Sequence, residues 1–183
     1  MRRALVGSAV LFLTAGFAAA AQDRWLHVKV VDAAKGGESV NVNVPLELAE
    51  KVLPTIQAEK LSHGKMKIGG EIEGVDIHAL LGAIRTAGDN EFVTVNSPKQ
   101  HVRVAKSRGY LLVQVRDEDQ KSAKVDITVP ISVVDALFSG AKDELDLVSA
   151  VRALKEHGDA QLVTVEDESS KVRIWVDSKN TSE

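Results

Sequence analysis

WLHVKVVD at Trp25–Asp32 is repeated as YLLVQVRD at Tyr110–Asp117. Working outward from this pair, the same series of segments occurs twice. VNVNVPLEL at Val40–Leu48 returns as VDITVPISV at Val125–Val133, and VDIHALLGAIRTAGD at Val75–Asp89 as LDLVSAVRALKEHGD at Leu145–Asp159. FVTV at Phe92–Val95 returns as LVTV at Leu162–Val165, and HVRV at His101–Val104 as KVRI at Lys171–Ile174. Order and spacing match apart from one interruption in the first copy, so the chain is a tandem duplication.

The first segment alternates, with Leu26, Val28 and Val30 on one side and Trp25, His27 and Lys29 on the other, which is a half-buried strand. Val40, Val42 and Val44 alternate in the same way after the turn around Gly36-Gly37, so the two strands predict a hairpin. Pro45 and Pro130 then open short helices, where a missing N–H costs nothing. Pro54 is expected to end or kink the first of them. The second helix of each copy is capped by Asp76 or Asp146, carries an apolar stripe, and closes at Gly88 or Gly158. Two further strands end each copy. Residues 59–70, EKLSHGKMKIGG, lack a counterpart and predict a loop or an extra hairpin.

Each copy thus reads β-β-α-α-β-β. The expected fold is α+β, a tandem of modules, each a four-stranded, mainly antiparallel sheet with two helices on one face. The expected boundaries are a leader at 1–21, a first module at 22–106, a second at 107–178 and a flexible tail at 179–183. Between the copies stand only Lys106–Gly109, a hairpin-length connection through which one sheet could run continuously.

The chain opens MRRALVGSAVLFLTAGFAAAAQD, with basic Arg2 and Arg3, an apolar run and a small-residue run at Ala18–Ala21. This predicts a secretory signal peptide and a periplasmic or secreted protein. No cysteine follows the apolar run, which excludes a lipid anchor there, and no later stretch is apolar enough to predict a membrane span. With no cysteine anywhere, disulfides, thiolate catalysis and thiolate metal sites are excluded. Cleavage would remove two arginines and no acid, taking the formal charge from −3 to −5. Such a chain is not expected to bind nucleic acid.

No motif predicts catalysis, a metal or a cofactor. The five histidines, His27, His63, His78, His101 and His157, show no metal-site spacing. GKMKIGG lacks the phosphate-loop pattern, and no nucleophile elbow is present. Asp117-Glu118-Asp119 and Glu166-Asp167-Glu168 fall in predicted turns without calcium-loop spacing. The face of the sheet opposite the core valines is richer. There alternation places Trp25, His27, Arg103, Tyr110, Arg173 and Trp175, including both tryptophans of the chain. Trp, Tyr and Arg concentrate binding energy at interfaces, so these six form the candidate interaction face. Cross-strand packing of Arg stems on aromatic rings is the alternative reading.

The valine-rich hairpin, the V-P-L helix start, the acid-capped second helix and the closing VRIWVD strand resemble small duplicated modules of unknown function in bacterial envelope and stress-response proteins. The resemblance covers nearly all of Trp25–Asp177 and carries no activity or cofactor. It implies a binding or scaffolding role at the envelope, toward a protein partner or by self-association. Two other readings remain open from the sequence: a hydrolase with its site where the modules meet, and a small-ligand or lipid carrier.

Overall fold

A strand has two edges, and the turns of this chain fill both edges of the strand that ends the first copy. A computed structural model describes residues 23–32, 36–67, 71–72, 75–117, 123–141 and 143–182, with the side chains of 71–78 left aside. The leader and the Asp76 cap therefore lie outside what is described. β7 (Asn90–Asn96) turns through Ser97–Lys99 into β8 (Gln100–Ser107), occupying one edge. β8 then turns through Arg108-Gly109 into β9 (Tyr110–Asp117), occupying the other. Arg108 and Gly109 have φ of +50° and +81°. Two left-handed residues are what a tight two-residue hairpin needs.

β8 is thus closed to the first hairpin of its own copy, β1 (Trp25–Asp32) with β2 (Glu38–Pro45). β1 instead pairs antiparallel with β13 (Ser170–Asp177), the second copy's equivalent of β8, placing Leu26 beside Val176 and Val28 beside Ile174. β13 pairs in turn with β12 (Ala160–Glu166), and β12 with β10 (Ala123–Pro130), the partner of β9. The result is one eight-stranded antiparallel sheet, ordered β2-β1-β13-β12-β10-β9-β8-β7. The expected tandem of separate four-stranded modules is not what forms. Each half of the sheet takes one hairpin from each copy, because the two-residue link commits β8 to β9. The sheet is continuous through both halves.

The helices follow the same interleaving. α1 (Leu46–Val52) begins after Pro45, and α3 (Ile131–Leu137) after Pro130. Pro54 lies in a 3-10 turn, Leu53–Thr55, immediately beyond α1. α1 packs on α4 (Leu147–His157) of the other copy, and α4 packs on α3. α2 (Ile77–Thr86) lies beside α3, with Arg85 3.9 Å from Asp135. The central core is Leu46, Val133, Ala150, Leu154, Leu162 and Val176, so a first-copy leucine is enclosed by second-copy side chains.

The Asp146 carboxylate accepts from the Ser149 N–H at 2.8 Å, and Gly158 ends α4 at φ +98°. Gly88 has no positive φ, so the first copy lacks the left-handed stop that the repeat predicts. Residues 59–70 contain a hairpin, β3 (Leu61–Ser62) and β4 (Lys65–Lys67), turning at His63-Gly64 with φ +53° and +75°. β4 adds to β11 (Glu144–Asp146), and the Gly64 carbonyl accepts from Leu147 at 3.0 Å. A Cβ on Gly64 would meet the Val148 side chain, so glycine fits here for space as well as conformation. Two short strands, β5 (Glu71–Ile72) and β6 (Val75–Asp76), pair just before α2.

One ion-pair cluster ties α1 to α4. Glu50 accepts from Arg152 Nε at 2.7 Å and Lys155 Nζ at 2.8 Å. Those two hydrogen bonds, Arg152's the larger, hold the Glu50 carboxyl down to about 2. A folded pKa below the unfolded one contributes stability above the unfolded value, and that contribution is lost as pH falls through the folded one. Glu50→Gln should therefore melt below the wild type at pH 6. The two melting curves should converge between pH about 4.5 and about 2; parallel curves throughout would remove Glu50 as a linkage group.

Candidate interaction site on the open face of the sheet

The register sets which side chains stand opposite the helices. Leu26, Ile174 and Val176 belong to or pack on the core, so Trp175 and His27, directly opposite each other, stand on the open face. Their rings stack with centroids 4.8 Å apart and 22° between planes. Arg173, two residues back on the same strand, places its guanidinium 4.5 Å from the indole centroid, an arrangement that favours cation–π attraction. The indole Nε1–H donates to Asp177 Oδ2 at 2.9 Å. His27 sits with Nδ1 2.6 Å from Asn43 Oδ1 and Nε2 3.1 Å from Asp177 Oδ1.

The chain's last described residues complete the enclosure. Ser182 donates from its hydroxyl to Asn43 Oδ1 and lies 3.5 Å from His27 Nδ1, so the segment expected as a flexible tail reaches back to the sheet. His27 is 0% exposed and Trp175 6%, although both stand on the face away from the helices. Burial alone would raise the Asp177 pKa. The Lys179 N–H, the Trp175 indole and His27 together outweigh it and hold the carboxyl below its ordinary value. Asp177 is the common partner of Trp175, His27 and Lys179.

The other expected face residues are divided. Trp25 is half-buried at the end of β1, near Ser178–Thr181. Arg103 is on β8, four strands from Arg173, or about 19 Å across the sheet. It pairs with Glu91 at 3.1 Å and donates to Gln114 at 3.3 Å. Thr94, which donates to Glu91, and then Arg103 hold that carboxyl below its ordinary pKa. With His101 and Arg116, which pairs with Asp126 at 2.7 Å, these side chains line a shallow polar depression of about 280 Å³. Tyr110 lies apart, its hydroxyl 3.0 Å from His157 Nε2 at the end of α4. The structure thus brings His27, Arg173 and Trp175 together and places Arg103 and Tyr110 elsewhere.

The sequence reading missed Asn43, Asp177 and Ser182 as the partners of His27. Asn43 was legible, being outward on the strand paired with β1; Ser182 had no periodic signal. Of the acidic turns, Asp167 accepts from the N–H groups and hydroxyls of Ser169 and Ser170. Those bonds, led by the Ser169 N–H, lower its carboxyl to about 2 and spend it on the turn itself. Among the described residues no group of three or more His, Asp or Glu could hold a metal ion. Among the same residues, no helix is long and apolar enough to cross a membrane.

A family model described as YvlB-like protein, C-terminal domain, matches residues 24–105, which is the first copy. The chain is therefore similar, over that span, to a bacterial domain of unknown function. No curated protein and no solved structure matches the chain. The matched segment contributes β1-β2 to one end of the sheet and β7-β8 to the other, so here the sequence unit and the packing unit differ.

Proposed function

We propose that this is an exported, non-enzymatic protein that binds or scaffolds other protein at the cell envelope, and that its contacts are made by the edges of its sheet. The observation that carries this is the state of the two end strands. β2 and β7 are the outermost strands, and Val40, Val42, Val93 and Val95 on them are 60, 43, 39 and 45% exposed. An unpaired strand presents a row of free N–H and C=O groups, and added strands are a common mode of protein recognition. The tryptophan cluster, by contrast, is enclosed by the chain itself. The leader sequence supports export.

Fractionation of producing cells with N-terminal sequencing tests the export half; the expected product begins near Ala21 or Gln22 outside the cytoplasm. A cytoplasmic chain retaining Arg2 and Arg3 would contradict it. The binding half is tested by capture of envelope protein on immobilised wild type and on V40K/V42K. Retention should fall at least severalfold in the variant, and equal retention would take the edges out of the function.

A further inference from the structure

We infer that the β2 edge pairs with the β7 edge of a second copy of this chain, in the register that β10 and β12 already use inside the molecule. This deepens the edge-binding reading above and rests on it.

The argument comes from the repeat. By the duplicated segments, β2 is the counterpart of β10, and β7 of β12. Inside the sheet β10 and β12 pair antiparallel, with Val125 opposite Val165 and Ile127 opposite Val163. The equivalent strands β2 and β7 pair on one side only, each with one edge left without a partner among the described residues. Transferring the register sets Val40 opposite Val95 and Val42 opposite Val93, which are the four exposed strand valines. Both strands of the transferred pair keep their geometry, since β7 carries a bulge at Glu91/Val93 where β12 carries one at Gln161/Val163.

The helices give the same answer independently. Beside the internal strand junction, α3 packs on α4. Val133 and Ala150 on these helices are 4 and 8% exposed, in the central core, with Leu137 packed against it. Their counterparts are Leu48, Leu80 and Val52, which are 51, 39 and 42% exposed. So all the large hydrophobic side chains that stand exposed among the described residues are equivalents of residues at one internal junction. They are the two halves of a second such junction, carried at opposite ends of the molecule.

The valine-bearing stretches of the two edges, Val40–Val42 and Val93–Val95, carry no lysine, proline or charge that would keep edges apart. β2 reads ESVNVNVP, with no lysine or arginine, and β7 reads NEFVTVN. Native edge strands are ordinarily guarded by lysine, proline or inward charges. In the transferred register Ser39 meets Asn96, where Lys124 meets Glu166 inside, and Asn41 meets Thr94, so no like charges oppose. Along the sheet the two edges are separated by seven strand spacings, about 33 Å, which favours a second copy over self-closure. One β2 edge and one β7 edge per chain make the contact head-to-tail; it closes into a ring or extends as a filament.

The chain has no cysteine, so single cysteines report cleanly. Purified V42C and V93C proteins, mixed and gently oxidised, should give a disulfide-linked dimer at least severalfold more abundant than either alone. Sedimentation of the wild type at tens of micromolar should show more than one chain per particle, and V40K/V42K should shift to one chain with its melting curve retained. If V40K/V42K does not fold, V93K/V95K, on the opposite edge, makes the same test. A wild type that sediments as a single chain overturns the inference, as does V42C/V93C closing its disulfide within one chain. A single-chain wild type whose edges still capture envelope protein would overturn self-pairing while leaving the edge-binding reading intact.

Discussion

Trp175→Ala is expected to lower the unfolding free energy by about 3–5 kcal/mol, the range for removing a buried aromatic side chain. The open face of a sheet is where such a substitution would ordinarily be mild, but the indole is 6% exposed. Its faces are taken by His27 and Arg173 and its N–H by Asp177. Truncation leaves a void over β13, strips the stacking partner from a fully buried histidine and removes one of the donors that stabilise the Asp177 carboxylate. Alternation alone places Trp175 on the candidate interaction face, where its loss would weaken association more than stability. The enclosure reverses that order. Urea denaturation of the variant beside sedimentation decides: unchanged stability with lost association would return Trp175 to an interface.

Leu46→Ala should cost a similar amount, about 3–5 kcal/mol, through a different route. Leu46 is 0% exposed, and it is the first-copy residue that enters a core otherwise built from Val133, Ala150, Leu154, Leu162 and Val176. Its N–H donates to the Arg24 carbonyl at 2.7 Å, fixing the start of α1 at the end of β1. The surrounding backbone belongs to paired strands and to α4, which cannot collapse into the space left, so the cavity term is retained. Leu48→Ala, two residues on and 51% exposed, should cost less than about 1 kcal/mol in the isolated chain. Equal losses at the two positions would mean that α1 docks by its other face.

Much of this was legible before any coordinates. The alternation at Trp25–Val31, the prolines at 45 and 130, the Asp146 cap and the glycine at 158 each have a local cause, and the structure uses each of them. The sharing of hairpins between copies is not local. It follows from the link Arg108-Gly109 occupying the free edge of β8, a consequence visible in the sequence once the edges of that strand are counted. The separate-module expectation treated repeat unit and folding unit as one. Gly88 shows the limit of transfer by repeat: the residue recurs, its left-handed conformation does not. Ser182 returns to Asn43 and His27, and a tail without periodicity gives no sign of where it lies. The exposed valines were equally hidden. Alternation says which face Val42 is on, and only strand order says that among the described residues no strand stands on its outer side.

The central claim is that hairpins of the two copies share each half of the sheet, and paired cysteines in this cysteine-free chain test it most directly. Lys29 stands opposite Arg173 in β13. In a tandem of separate modules it would stand opposite Arg103, the repeat equivalent of Arg173. K29C/R173C and K29C/R103C should therefore behave differently under mild oxidation. The account predicts a disulfide within one chain, with retained fold, for K29C/R173C and none for K29C/R103C. Bridging within one chain of K29C/R103C, with K29C/R173C remaining reduced, would contradict it.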